Sequence, residues 1–356
     1  MNILAIDTSC DETAAAVTNG RRILSNVIYS QVLLHKKWGG VVPSLAKRAH
    51  EERIEGVVQL AIKKAKTTWE MIDAVAVTQG PGLAIALGVG IQKAVELAKI
   101  YSKPLIGINH LEGHLYSVFA QNSMGNPKRN ITFPYLGMII SGGHTEFVLW
   151  KNHLDYELLG ATLDDAAGEA LDKAGKLLGL GYPAGAVLER LSEQIDHKDE
   201  YHFPRPMLKS GDLRFSFSGL KTSFYYFLKT LSEEEKQMKV KELASAFQEA
   251  VFDTILFKAE KAIQQTGVAT MVIGGGVSAN NYLRKRFRAL AKKYKGTVYF
   301  PTMSALTGDN AAMIGIAAWK KGELKLFAKG ELDRQPRMKI ISSIRHYKII
   351  DVESSL

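Results

Sequence analysis

The stretch Ile3-Leu-Ala-Ile-Asp7-Thr-Ser-Cys-Asp11-Glu-Thr-Ala14-Ala-Ala-Val17 comes back in altered form as Leu136-Gly-Met-Ile-Ile140-Ser-Gly-Gly-His-Thr145-Glu-Phe147-Val-Leu-Trp150. Each copy is an apolar run, a small polar turn and a second apolar run, the pattern of a buried strand–turn–strand unit. Each opens one half of the chain, which predicts an internal duplication with divergent tips. The first tip crowds Asp7, Asp11 and Glu12. Such crowding is unfavourable unless a cation or substrate uses the charges; the alternative is a Ser/Thr/Asp turn that caps itself. The second tip, Gly142-Gly143, leaves backbone N–H groups able to approach a phosphate, or is a plain hairpin turn.

Working outward, residues 23–30 read as a third strand. Ser44 reads as the cap of a helix to about residue 66, with Leu45, Ile54, Val57, Val58, Ala61 and Ile62 on one stripe. Strands are expected at 72–78 and 105–108, with a helix at 83–100 between them. In the second half, helices are expected at 163–178 (opened by Asp164-Asp165), 186–197 and 241–265, and an extended insert or lid at 199–222. Met271-Val-Ile273 runs into Gly274-Gly-Gly276 and a helix near Asn281, an arrangement suited to nucleotides although it is not Gly-x-Gly-x-x-Gly. The alternation is that of an α/β protein.

Asn109-His110-Leu-Glu-Gly-His114 places two histidines four residues apart. On a helix they stack one turn apart and can share a divalent cation with a third ligand from elsewhere. The pair by itself is short and common, and two half-buried helix histidines are the bland alternative. A zincin peptidase needs its general base directly after the first histidine, where Leu111 stands.

The 356 residues exceed one comfortable core, so two domains are expected. The net charge is +10, and residues 284–295 hold seven basic side chains and no acidic one. That favours a polyanion partner (tRNA, rRNA, DNA or a lipid surface) or else a solvated helix face. The one cysteine, Cys10, excludes an intramolecular disulfide and any multi-cysteine metal site. The amino terminus lacks the basic region of a signal peptide, and no run approaches the ~18 apolar residues of a membrane span, so a cytoplasmic protein without membrane contact is expected.

Taken in order, Thr8–Thr13, Gly39–Pro43, His110–His114, Ser141–Thr145, Asp164–Glu169, Phe203–Pro206, Phe215–Lys221, Gly275–Asn280 and Asp309-Asn310 make the chain resemble the tRNA N6-adenosine threonylcarbamoyltransferase family of the bacterial TsaD type. The resemblance implies a two-lobed α/β fold like the actin, heat-shock and sugar-kinase ATPases (ASKHA), with duplicated ribonuclease-H-like domains and nucleotide in the cleft. The lobes would be residues 1–130, with a helical return at about 308–325, and residues 131–325, followed by a basic tail at 326–356.

The same resemblance implies a metal, Fe2+ or Zn2+ with Mg2+ as the harder alternative, on His110, His114 and Asp309. It implies an adenine nucleotide, threonylcarbamoyl-AMP or ATP. Ile139, Ile140, Ser141, Gly142 and Gly143 would line its acyl and phosphate part, and Asp172, Gly185, Glu189 and Asn280 its adenosine end. Some relatives add a tyrosine ligand where this chain has Ile139. The family's Tyr-Pro-Gly-Gly-Pro reads Tyr182-Pro-Ala-Gly-Ala186 here, which puts a Cβ on residue 184, and its Cys-Thr-Asp-Asn reads Leu306-Thr-Gly-Asp309-Asn310.

The reaction implied is transfer of the threonylcarbamoyl group to N6 of the adenosine beside the anticodon, in tRNAs reading A-starting codons, with release of AMP. Asp11 is the first candidate for the base that takes the amine proton, and Glu12 the second. Implied partners are tRNA, a reduced paralogue of the TsaB type bound through the first lobe, a P-loop ATPase of the TsaE type and a threonylcarbamoyl-AMP synthase as supplier. The rivals are a small-molecule kinase or carbamoyltransferase of the same fold, a metallopeptidase and a non-catalytic nucleic-acid scaffold.

Overall fold

A computed structural model describes residues 1–340 of the chain. Contacts divide it into two compact units: Met1–Phe133 with Lys151–Glu157 and the chain from Pro301, and Pro134–Trp150 with Leu158–Phe300.

The sheet of the first unit contains β1 (Asn2–Asp7), β2 (Glu12–Asn19), β3 (Arg22–Ser30), β4 (Ala74–Gly80) and β5 (Leu105–Asn109), in the order β3-β2-β1-β4-β5. β1 runs antiparallel to β2 and parallel to β4, with Asp7 opposite Ala14, so the acidic turn tips the hairpin. β1 and β4 are nearly continuous apolar runs because helices cover both faces of the sheet. On one face α2 (Pro43–Lys64) and α3 (Ala84–Ile100) bury Val57, Val58, Ile91 and Leu97 against Leu4, Ile6, Val17 and Val75. On the other lies α11 (Ala311–Glu323), with α4 (His110–Tyr116) beside it. Gly315 permits the close approach of α11, since a Cβ there would meet Thr18 Oγ1 at 2.6 Å and Ala5 Cβ at 3.3 Å. A short α1 (Val32–Lys36) links β3 to α2.

The second sheet contains β6 (Tyr135–Ile140), β7 (Thr145–Asn152), β8 (Asp155–Ala161), β9 (Met271–Gly274) and β10 (Val298–Tyr299), in the order β10-β9-β6-β7-β8, and belongs to the second unit except for the β7–β8 end, Lys151–Glu157. Read from the β8 edge, this is the strand order of the first sheet. β6–β7 is antiparallel and β6–β9 parallel, as are β1–β2 and β1–β4. The helices are α5 (Ala167–Leu177), α6 (Gly185–Glu193), α7 (Ser218–Lys229), α8 (Glu233–Met238), α9 (Val240–Thr266) and α10 (Asn281–Lys293). The core gathers around α9, where Phe247, Phe252 and Ile255 meet Phe215, Phe217, Phe224 and Leu220.

Several expectations are corrected. Ser44 does not cap α2: Pro43 holds the first helical turn, preset in φ, and Val42 precedes it. Asp164 and Asp165 do not open α5, which starts at Ala167. Asp164 accepts hydrogen bonds from the N–H groups of Phe217 and Ser218 and from the hydroxyls of Ser216 and Ser218, which pins down the start of α7 instead. The stretch 199–222, expected as an extended insert or lid, contributes side chains to the core of the second unit. Phe203, Leu213, Phe215 and Phe217 are core residues, and its last residues are helical.

The tail as far as residue 340 is tied to the first unit. Gln335 N–H donates to Gln79 O, Gly82 N–H to Pro336 O, and Asn109 Nδ2 to Lys339 O. The rest of the expected basic tail lies outside the described residues.

Candidate functional site

β5 delivers the chain to α4, and Asn109 caps that helix by accepting from the N–H groups of Leu111 (2.9 Å) and Glu112 (3.4 Å). The cap fixes where the first turn begins, and the helical period then places His110 and His114 edge to face, ring centres 4.7 Å apart. Asp309 reaches them from the start of α11, where Asn310 is the cap and accepts from Met313 N–H at 3.0 Å. Both imidazole Nε2 atoms lie 3.3 Å from the same oxygen, Asp309 Oδ1. The three ligand atoms fall within 4.8 Å of one another.

His110 and His114 are buried, yet among the described residues neither Nδ1 atom makes a hydrogen bond, and His114 Nε2 meets Asp309 Oδ1 only as a near ion-pair contact. Buried polar atoms in that state are costly unless another species pairs with them. Burial disfavours the charged form of His110, but the Asp309 carboxylate and, beyond it, Asp7 outweigh burial and bring it up to about 9. His114 is pushed down, by burial first. Burial opposes ionisation of Asp309, yet the two imidazoles hold its carboxyl well below the usual range. Two buried imidazoles and a half-buried carboxylate converging on one point are a donor set suited to Fe2+ or Zn2+, less to Mg2+. Asp7 Oδ2, 3.7 Å from His110 Nδ1, stands where an outer-shell carboxylate orients a ligating histidine.

Glu112 faces away from this point. Its Oε2 is 3.2 Å from Lys321 Nζ, and its Oε1 accepts from the Tyr156 hydroxyl at 3.0 Å. With Leu111 buried after His110, neither residue offers the base a peptidase needs.

At the first hairpin tip Glu12 Oε1 accepts from Ser30 Oγ. Burial, then the charges of Asp11 and Asp309, push Glu12 up to about 10. Burial likewise pushes the Cys10 thiol up. Beneath the tip sits His50 of α2, which the sequence reading missed. Its Nε2 contacts Cys10 O at 3.0 Å, and its Nδ1 contacts Thr13 Oγ1 at 2.8 Å and Gln31 Nε2 at 3.3 Å. The available signal was its place on the apolar stripe of α2, one turn from both Ala46 and Ile54.

The remaining candidates lie in the second unit. Ile139 and Ile140 are buried in β6, and Ser141 closes the tip turn, its N–H donating to His144 O. Gly142 and Gly143 face open space. Gly275 adopts φ +92°, and a Cβ there would lie well inside contact distance of the Ile140 carbonyl, so β9 delivers its glycines directly onto the end of β6. Asp172 Oδ1 accepts from Ala184 N–H at 2.8 Å, directly before Gly185 opens α6. Glu189 Oε1 accepts from Asn281 N–H at 2.6 Å, and Asn280 caps α10 by accepting from Leu283 N–H. These four residues therefore form one linked set. Ala184 turns its methyl toward Gly175 and is fully buried, so the Cβ at this position is absorbed in helix packing.

The basic run 284–295 is partly neutralised. Arg286 bridges Glu249 and Asp253 at 2.8 and 2.6 Å, and Lys293 pairs with Glu260. Among the described residues no helix is long and apolar enough to cross a membrane.

A family model described as "TsaD: tRNA N6-adenosine threonylcarbamoyltransferase" matches residues 22–316. A relative of that name from Thermosipho africanus is 43% identical over 341 residues, covering 96% of this chain and all of the other. One from Endomicrobium trichonymphae is 46% identical over 327 residues, covering 90% and 92%. Among solved structures, the activator of the 2-hydroxyisocaproyl-CoA dehydratase from Clostridium difficile, bound to ADPNP, superposes with a TM-score of 0.52 at 14% identity, covering 92% and 97%. HypF from T. kodakarensis gives 0.55 at 15% identity over 91% of this chain and 48% of the other. At such identities these two show a shared ASKHA fold.

Proposed function

The chain belongs to the tRNA N6-adenosine threonylcarbamoyltransferase family, and from that premise we propose that it transfers a threonylcarbamoyl group from threonylcarbamoyl-AMP to N6 of the adenosine beside the anticodon. The tRNAs would be those reading A-starting codons, and AMP would be released. The observation that carries the reading is the convergence of His110 Nε2, His114 Nε2 and the half-buried Asp309 Oδ1 on one point, in a chain matched along most of its length by one enzyme family.

A divalent metal on His110, His114 and Asp309 would supply Lewis-acid polarisation of an acyl carbonyl, or a fixed anchor for the threonine carboxylate. The chain's own groups do the rest. Backbone N–H groups of Gly142 and Gly143 donate to the donor's phosphate oxygens and to the charge that builds there as the anhydride opens. Asp172, Gly185, Glu189 and Asn280 hold the adenosine end. The bond formed is N6 to the carbamoyl carbon, and the bond broken is from that carbon to the phosphate oxygen, which leaves with the electron pair as AMP.

The exocyclic amine is a weak nucleophile because its lone pair is shared with the purine ring, so its proton must be taken up as the bond forms. Burial and the neighbouring charges of Asp11 and Asp309 push Glu12 up, which leaves it the second candidate. The base is assigned to Asp11. The protein is read as cytoplasmic, acting with a TsaB-type paralogue, a TsaE-type ATPase and a synthase that supplies threonylcarbamoyl-AMP.

The test supplies the purified protein with those partners, threonine, bicarbonate, ATP and an unmodified tRNA reading A-starting codons, and looks for the modified nucleoside by mass spectrometry. Absence of product with the wild type, or undiminished product with His110→Ala/His114→Ala, defeats the reading.

A further inference from the structure

The second unit has a cavity of about 470 Å³ between α5 and α7 that none of the chemistry above uses. Its walls are two helical stripes. Lys173, Lys176 and Leu177 come from α5, and Lys221, Tyr225 and Tyr226 from α7. The four-residue spacing of Lys221, Tyr225 and Lys229 puts them in line along α7. Lys229 Nζ lies 4.6 Å from the centre of the Tyr225 ring and 6.0 Å from that of Tyr226, and the two rings stand 5.5 Å apart. Tyr226 is 62% exposed and Tyr225 40%.

The charges are arranged rather than scattered. Asp165 holds Lys173 at 2.7 Å and Lys221 at 3.0 Å, and Glu169 holds Lys173 at 2.9 Å, which fixes two ammonium groups at the cavity wall. Lys173 and Lys221 are paired with Asp165 and Glu169, while Lys176 and Lys229 have no carboxylate partner among the described residues and stand beside two exposed phenol rings. Lysine with exposed aromatic faces is the chemistry that receives an unpaired nucleic-acid strand, whose bases stack on rings while its phosphates meet ammonium groups. Protein interfaces also use tyrosine but are depleted in lysine, and three of the seven lining residues here are lysines.

We propose that this α5–α7 face is a docking surface for the tRNA substrate, with Tyr225 and Tyr226 stacking on unpaired bases and Lys176 and Lys229 meeting the flanking phosphates. The proposal rests on the reading that the substrate is tRNA.

The test uses the full chain with its partners, and measures equilibrium tRNA binding over a salt series and steady-state kinetics for Tyr226→Ala, Tyr226→Phe and Lys176→Glu. Both positions are exposed, so the substitutions leave the core intact. Tyr226→Ala is expected to weaken tRNA binding roughly tenfold, while Tyr226→Phe, which keeps the ring, retains wild-type affinity. Lys176→Glu is expected to flatten the slope of log affinity against log salt by about 0.7 or more. The kinetic loss falls on KM for tRNA more than on kcat, and AMP binding stays unchanged.

Equal affinity and slope in wild type, Tyr226→Ala and Lys176→Glu would overturn the docking surface and leave the transferase reading standing. So would loss of a protein partner with tRNA affinity untouched. A wild type that neither binds nor modifies tRNA defeats both.

Discussion

Replacing Lys321 by methionine should damage the first unit more than any surface change, and the structure says by how much. Lys321 reaches from α11 to Glu112 of α4, Nζ to Oε2 3.2 Å, with 4% and 3% of the two side chains exposed. At that separation, and at an effective dielectric of ~20, the attraction is about 5 kcal/mol, much of it offset by the desolvation of both ions. The single substitution removes the attraction and leaves the Glu112 carboxylate buried, with the Tyr156 hydroxyl as a neutral partner. Breaking such a pair from one side costs about 3–5 kcal/mol. Lys321→Met/Glu112→Gln removes both charges and keeps an acceptor for Tyr156, so it should lose only about 1 kcal/mol. The double variant should therefore be about 2–4 kcal/mol more stable than Lys321→Met alone.

The assay is urea unfolding of metal-free protein by circular dichroism, following the transition of the first unit, because two compact units need not melt as one. Metal content by mass spectrometry adds a second readout. α4 carries both histidines and α11 follows Asp309, so the single variant should lose metal where the double variant keeps it. A loss below about 1 kcal/mol for Lys321→Met, or a double variant as damaged as the single, would refute the argument.

Three further outcomes are expected. His114→Ala should bring bound metal well below one per chain and cut modified tRNA at least about tenfold, while the far-ultraviolet spectrum is unchanged. Gly275→Ala should destabilise the second unit by about 1–3 kcal/mol, measured by denaturant unfolding, since alanine disfavours φ +92° and its Cβ would strike the Ile140 carbonyl. His153, half-buried and beside Lys320, is held down at about 4. Between that value and the ordinary 6.5 the unfolded chain binds more protons, so stability rises with pH through this window and is lost as pH falls through it. After allowance for partial exposure the loss should be about 1–2 kcal/mol, and His153→Gln should flatten that limb of a melting-temperature profile.

The sequence reached far into this fold where local pattern and tertiary burial agree. Both strand–turn–strand units, β9 with its glycines and the long α9 have periods that the core later enforces. It missed β8, an edge strand whose Asp155-Tyr-Glu-Leu-Leu stretch breaks the period of two at Leu158, exposed beside exposed Glu157. It began α5 too early because Asp164 and Asp165 suit a helix start. Hydroxyl and N–H groups at residues 216–218 claim Asp164, and the ammonium groups of Lys173 and Lys221 claim Asp165.

What the sequence determined alone was chemical identity and local geometry: two imidazoles one helical turn apart, a leucine where a peptidase keeps its base, and two tips of opposite chemistry. Those follow from covalent order and helical period, which need no distant contact. What only the tertiary structure decided was convergence. Asp309 meets histidines almost two hundred positions earlier because α11 and α4 lie together on one face of the first sheet. Glu112 is spent on Lys321, and His50 braces the acidic turn from below, for the same reason. Burial leaves each polar group to find its partner across the chain, and sequence spacing does not say which partner will be there.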